Sequence, residues 1–365
     1  MADDVDVGNK ADAQFSERLI IAQRSIPRAR MIDYGLPARD ADFLQSLSVD
    51  SEKEWWDAAE DLGERHLFDA DRQAASGNHA MAVLEREYAS AAFNIGQLAI
   101  NSDNETKRRL YGRATACLEE NAGRPGCDYR RINVPLGTEG SLFGWHFRVP
   151  DAFGHVIMFG GLNGWGASFI RLARALGRQR IATVLAEAPG QGETRLISGL
   201  HLSRETIGHA SRLIEFIADD GKPVGLVGFS FGGLIAAHVA AAVPTIAALC
   251  TNGSPVAIEA LNHPVERELF GAAFGGEGDA LLERVKDFNF DSDTEIIRCP
   301  VLSLEGGADP LVAAGTWRGF VGDGHPAADP RFWEDGLHTL YNHSAERDAL
   351  IASWMSDCFR RKMEY

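Results

Sequence analysis

Two periodicities divide the chain near residue 126. Upstream, apolar residues recur at helical spacing. Between His79 and Ile100 they fall at Met81, Leu84, Tyr88, Ala91, Ala92 and Ile95, and between Asn104 and Glu120 at Leu110, Ala114, Cys117 and Leu118. A recurrence of three to four residues gives a helix one apolar stripe and predicts a helix in each stretch. Ser51 with Glu54 reads as a capping box opening a further helix through Trp55 and Trp56. Residues 1–14 are polar and predicted to fray. With no strand signal in it, the segment 1–126 is expected to form a helical domain whose aromatic residues serve as core.

Gly123, Pro125 and Gly126 mark the boundary, and from residue 127 the pattern alternates strands with helices. Arg131–Leu136 and Leu142–Val149 read as an antiparallel hairpin across the turn Gly137–Ser141. Strands follow at His155–Phe159, Ile181–Leu185, Val224–Val227, Ile246–Thr251, Val301–Leu304 and Phe332–Glu334. The helices between and after them are one ending at Gly177, Ile207–Ile217, Leu234–Val243 and Ala345–Phe359. An irregular, partly helical insertion covers 254–295. Strands that alternate with helices pair in parallel and are covered on both faces. The expected fold class is therefore α/β, a mostly parallel sheet flanked by helices, in residues 127–365.

The chemistry is expected where Gly228-Phe229-Ser230-Phe231-Gly232 joins the Val224 strand to the Leu234 helix. This is the G-x-S-x-G spacing of a nucleophile elbow, a tight strand-to-helix turn that exposes a serine hydroxyl. The pattern alone is weak, since a glycine-rich chain of this length produces it by chance roughly once in five. Its weight comes from partners. A serine hydroxyl needs a histidine to take its proton and a carboxylate to orient that histidine. In the α/β-hydrolase arrangement these partners follow later strands in the order Ser, Asp or Glu, His. Asp309 and His338 occupy such positions. Glu305 competes with Asp309 on the same turn, and Pro310 favours Asp309 by fixing a turn that presents it. His325 and His343 compete with His338, which alone directly follows the last strand. The oxyanion donors are expected to be the amide of Phe231 and, from the Gly160-Gly161-Leu162-Asn163-Gly164 loop, that of Leu162, with Asn163 as the alternative. Gly161, Asn163, Trp165 and Phe229 are the candidate substrate-binding residues, with Phe231 as further lining and Trp165 equally readable as packing.

Composition narrows the partners. A formal net charge of −16 argues against a phosphate-binding surface and so against nucleic acid. The five cysteines, Cys117, Cys127, Cys250, Cys299 and Cys358, include no C-x-x-C pair, which suggests neither a disulfide framework nor a metal site. The acidic Met1–Asn9 lacks the features of a signal peptide, and no run of about 18 apolar residues occurs. A reduced, cytoplasmic protein is expected, with no membrane contact, a small-molecule substrate and homodimerisation allowed for. The glycine loop does not have G-x-G-x-x-G spacing, so no cofactor is expected.

The stretches Gly160-Gly161-Leu162, Ala188-Pro189-Gly190-Gln191-Gly192-Glu193, Gly228–Gly233, and Asp335-Gly336-Leu337-His338 followed by Asn342 resemble the bacterial α/β-hydrolases grouped with the fermentation-respiration switch protein. Within that group the chain looks most like the enzymes that hydrolyse a carbon-carbon bond. The resemblance covers nearly the whole chain and implies that residues 1–126 act as a helical cap over the hydrolase site. It also implies Ser230 as nucleophile, Asp309 as acid and His338 as base. One departure concerns substrate: some relatives carry a glutamate just after the G-G-L loop, where Asn163 stands here, and an asparagine cannot carry a proton as a carboxylate does. The expected reaction is hydrolysis of a carbon-carbon bond in an activated ketone, a β-diketone or acyl-phenol-like molecule, through an acyl-enzyme. The alternatives are a carboxylesterase or thioesterase acting through the same residues, and a binding or regulatory protein without turnover.

Overall fold

The computed structural model describes residues 2–48, 53–218, 220–321, 325 and 327–364. It divides into two compact units, Met1–Gly126 and Cys127–Tyr365.

The first unit is built from helices α1 (Ala2–Ser25), α2 (Arg28–Asp33), α3 (Ala38–Gln45), α4 (Trp55–Ala75), α5 (His79–Leu98) and α6 (Glu105–Asn121). Helical backbone thus extends through most of the polar N-terminal stretch expected to fray. Ser51 of the expected capping box lies outside the described residues, and Glu54 stands at the N-cap of α4 without a side-chain cap bond. Helix α6 is capped by Asn104, whose side chain accepts from the Lys107 amide. Ala89 and Phe93 of α5 pack with Leu110, Ala114 and Cys117 of α6 in a closed core. Trp55 is buried with its indole N–H donating to the Ile95 carbonyl at 3.4 Å, a core aromatic as expected. The Lys107 ammonium, also buried, donates to the carbonyls of Gln97 (3.3 Å) and Ile100 (2.6 Å) at the end of α5. A cation there meets the negative end of the helix dipole.

The second unit holds one eight-stranded sheet, β1 (Tyr129–Pro135), β2 (Ser141–Phe147), β3 (Gly154–Phe159), β4 (Ile181–Glu187), β5 (Val224–Phe229), β6 (Ala248–Asn252), β7 (Val301–Gly306) and β8 (Ala328–Trp333). Its helices are α7 (Ile170–Arg178), α8 (Gly192–Leu196), α9 (Glu205–Ile217), α10 (Phe231–Ala242), α11 (Pro264–Phe274), α12 (Gly278–Asp287), α13 (Arg318–Val321) and α14 (Ser344–Met363). The spatial strand order is β1-β2-β4-β3-β5-β6-β7-β8. β1 and β2 form the antiparallel hairpin and β2 runs antiparallel to β4, while the six strands from β4 to β8 are parallel. β3, β4, β5, β6 and β7 are buried along their whole length, as strands covered on both faces must be. This is the α/β-hydrolase fold.

Chain order explains where a site forms. The crossover from β3 leads outward to β4, and the next returns past β3 to β5, so the loops leaving β3 and β5 diverge. In open α/β sheets such a reversal opens a crevice at the strand carboxyl ends. Phe159 is paired with Gly228, so the glycine loop after β3 starts beside the elbow after β5.

Candidate active site

Ser230 sits between the last residue of β5 and the first of α10 with φ 54° and ψ −127°. A non-glycine residue in that region carries on the order of 1–3 kcal/mol of backbone strain, which the surroundings must hold. The Ser230 amide donates to the Asn252 carbonyl at the end of β6 (2.8 Å), and the Gly233 amide donates to the Ser230 carbonyl (2.9 Å). The flanking glycines are required by space. A Cβ on Gly228 would fall 2.3 Å from the Gly232 carbonyl oxygen, and one on Gly232 would fall 2.2 Å from that of Phe159. Ser230 remains partly exposed.

The three side chains expected together are together. The Ser230 hydroxyl lies 2.9 Å from His338 Nε2, and His338 Nδ1 lies 2.8 Å from Asp309 Oδ2 and 3.1 Å from Oδ1. Asp309 Oδ1 also accepts from the amides of Leu311 (2.8 Å) and Val312 (3.1 Å), so the loop after β7 fixes the carboxylate. With Nδ1–H donating to that carboxylate, Nε2 is left to accept from the serine. The Asp309 side chain is 1% exposed and that of His338 8%, which keeps both contacts largely out of water. An arrangement of this kind can pass a proton from a serine hydroxyl to an imidazole.

The loop that carries His338 is clamped. Asn342 accepts from the Leu337 amide (2.9 Å) and donates to the Asp335 carbonyl (2.9 Å). Thr339 and Leu340 both have positive φ. The Thr339 carbonyl accepts from Arg347 Nη1 and from Asn252 Nδ2, each at 2.9 Å. Asn252 therefore links the serine turn and the histidine turn, one through its backbone carbonyl and the other through its carboxamide.

The competitors do other work. Glu305 accepts from the amides of Gly315 (2.7 Å) and Trp317 (3.1 Å) and from the Thr316 hydroxyl (3.2 Å), bracing the loop before α13. His343 faces Asp335 and Glu346, and His325 accepts from the Ala327 amide.

The glycine loop lies against Ser230: a Cβ on Gly161 would be 3.3 Å from Ser230 Cβ and 3.6 Å from its Oγ. Leu162 and Asn163 are half-buried. Phe231 opens α10, so no helical carbonyl precedes its amide by four residues. Of the aromatic candidates, Trp165 takes its packing alternative and Phe229 is enclosed. Trp165 is fully buried, its indole N–H donating to the Leu162 carbonyl (2.9 Å) and the Arg195 guanidinium 4.7 Å from its ring centroid. Phe229 is 2% exposed, edge-on to Phe169 and covered by the Arg347 guanidinium. Both rings are enclosed by protein neighbours. The Phe231 ring is likewise taken up by Phe270, Phe274 and Phe288, which leaves only its amide free for a role at Ser230. Among the described residues no cluster of His, Cys, Asp or Glu is placed to hold a metal ion, and no helix is long and apolar enough to cross a membrane.

The profile of the alpha/beta hydrolase family matches residues 156–360. The chain belongs to that family. Among solved structures, the alpha/beta hydrolase unit together with its preceding helices is similar to 2,6-dihydroxy-pseudo-oxynicotine hydrolase. The TM-score is 0.79 at 19% identity, over 91% of this chain and 95% of that one. It is also similar to AbyA5, with a TM-score of 0.66 at 16% identity over 81% of this chain and 88% of that one. These likenesses are in fold. No curated protein matches the sequence.

Two residues that hold the loops around Ser230 give no sign of those contacts in the sequence. Asn252 ends a buried strand and gives no motif. Gln191 lies within the P-G-Q-G-E segment, where the resemblance marks the segment without assigning it a task.

Proposed function

We propose that the protein is a serine hydrolase that cleaves a carbon-carbon bond in an activated ketone by way of an acyl-enzyme. The observation that carries the nucleophile assignment is the contact chain from Ser230 Oγ to His338 Nε2 and from Nδ1 to Asp309, on a turn strained at Ser230 itself. In this reading Ser230 Oγ bonds to the ketone carbon as His338 takes its proton. Asp309 stabilises the imidazolium, and the amides of Phe231 and Leu162 hold the tetrahedral oxyanion. Collapse breaks the carbon-carbon bond, the electron pair leaves as an enolate-stabilised carbanion, and His338 returns its proton to that carbon. Water, deprotonated by the same imidazole, then attacks the acyl carbon and releases a carboxylic acid and Ser230.

The substrate class draws support from the fold-level likeness to a protein named as 2,6-dihydroxy-pseudo-oxynicotine hydrolase, together with the motif resemblance. A second reading, ester or thioester hydrolysis by the same residues, is favoured by Asn163. An alkoxide or thiolate leaves without a further proton donor, whereas a poor carbanion benefits from a carboxyl that Asn163 cannot supply.

Turnover of aryl β-diketones beside matched aryl esters separates the two. The proposal expects carboxylic acid and ketone from the diketone at a kcat/KM at least comparable to that of the ester. Ester turnover with the diketone left intact favours the second reading. A folded wild-type protein that turns over neither and is not labelled at Ser230 by a fluorophosphonate removes both.

A further inference from the structure

We propose that Gln191 is a positioning residue that sets the direction of the oxyanion-binding amide on the glycine loop, an inference that rests on the hydrolase reading above. Gln191 is 1% exposed. Its carboxamide nitrogen donates to the carbonyls of Gly160 (2.6 Å) and Gly161 (2.9 Å), while its carboxamide oxygen accepts from the Ala188 amide (3.0 Å). Both amide hydrogens and the oxygen are therefore engaged, and they tie the loop after β3 to the turn after β4.

The physical consequence follows from peptide geometry. In a planar trans peptide the C=O and the following N–H point in opposite directions. Holding the Gly161 carbonyl against Gln191 therefore turns the Leu162 N–H away from Gln191, and holding the Gly160 carbonyl does the same for the Gly161 N–H. Gly160 and Gly161 have no side chains to limit rotation, and glycine visits both signs of φ. Without an external anchor, the Gly161–Leu162 peptide is free to rotate and to present a carbonyl where the oxyanion forms. Local sterics already pin part of the loop, since a Cβ on Gly160 would meet the Gly164 carbonyl at 2.0 Å. They do not fix the peptide that carries the Leu162 amide.

The turn that presents Gln191 is itself rigid. Gly190 has φ +83°, its amide donates to the Leu200 carbonyl (2.7 Å), and its carbonyl accepts from Arg195 Nη1 (2.9 Å). The Thr194 hydroxyl donates to the Glu187 carbonyl at the end of β4 (2.6 Å). Gln191 thus transmits the position of β4 to a loop on β3 whose glycines cannot hold themselves.

The test compares wild type with Gln191→Met, which keeps length and volume but donates nothing, on p-nitrophenyl acetate, with phenylboronic acid as a mimic of the tetrahedral adduct. Loss of one oxyanion donor lowers kcat by roughly 10²–10³. The expected result is a kcat reduced on that scale with KM within about twofold, and boronate affinity weakened by a similar factor in protein still folded at the assay temperature. A kcat within threefold of wild type overturns the inference, as does a lower kcat with unchanged boronate affinity. Should Gln191→Met not fold, Gln191→Glu decides. Its carboxylate repels the two carbonyls, and protonation restores one donor, so its kcat relative to wild type must rise as pH falls; a flat ratio overturns the inference. Failure of the underlying reading is distinguishable, because then wild type itself neither turns over nor takes a fluorophosphonate at Ser230, and both fall together.

Discussion

Replacing Asp309 by Asn changes one atom and, in this structure, reverses a tautomer. Two backbone amides, Leu311 and Val312, donate to Oδ1 at 2.8 and 3.1 Å, so the asparagine must place its carbonyl oxygen there. Its NH₂ then occupies the Oδ2 position, 2.8 Å from His338 Nδ1. Facing a donor, Nδ1 must accept, and the ring proton moves to Nε2, where it points at the Ser230 hydroxyl and blocks proton transfer. The carboxylate's attraction for the imidazolium is lost as well. At separations of roughly 3–4 Å and an effective dielectric near 20 this is about 4–6 kcal/mol, or on the order of 10³–10⁴ in kcat. Volume and loop hydrogen bonds are kept, so Tm should stay within about 3 °C. Steady-state hydrolysis of an aryl ester at pH 7.5, with thermal melts, measures both. Asp309→Asn with kcat within tenfold of wild type refutes the reasoning, as does an NMR signal showing that His338 keeps its Nδ1 proton.

Ser230→Ala and His338→Ala should each lower kcat by roughly 10⁴–10⁶ without unfolding the protein, and steady-state assays with circular dichroism check this. Glu305→Gln should keep at least about a third of wild-type turnover, because Glu305 accepts from the 315–317 loop and does not face His338. A loss matching that of Asp309→Asn would return the acid role to Glu305. The His146 imidazole on β2 is pushed from 6.5 down to about 4 by burial, with the cation of Arg130 adding to the effect. The unfolded chain therefore binds a proton below pH 6.5 that the folded protein refuses until about pH 4. Stability should fall by about 3 kcal/mol across that window and not above it, and denaturant titrations of His146→Gln should show a flatter slope there. All five cysteines are buried, and burial raises the thiols of Cys117 and Cys299 to about 12. Ellman's reagent should thus label less than one thiol per native chain within minutes, and all five in denaturant.

The parts legible in the sequence were those written in local pattern. The hairpin, the buried strands and the strand-to-helix turn at Ser230 all follow from alternation, apolar runs and glycine spacing, and their partners follow from chain order. Strand β8 was legible only at its end, because Pro330 and an exposed, polar run disguise an edge strand as a loop. Five-residue α8 is too short for a period to show. Trp165 and Phe229 could be read as aromatics beside the motif, but their enclosure depends on Arg195 and Arg347, which arrive from other elements. The same holds for Gln191 and Asn252. Their bonds span 31 and 87 positions, and no local periodicity encodes a contact of that range.

The central claim is that His338, held by Asp309, makes the Ser230 hydroxyl a nucleophile. Intact-protein and peptide mass spectrometry after fluorophosphonate treatment tests it most directly. One adduct per chain, mapped to Ser230, absent in Ser230→Ala and formed at least 10³-fold more slowly in His338→Ala, is the predicted result. An adduct on another residue, or none on the folded wild-type protein, contradicts it.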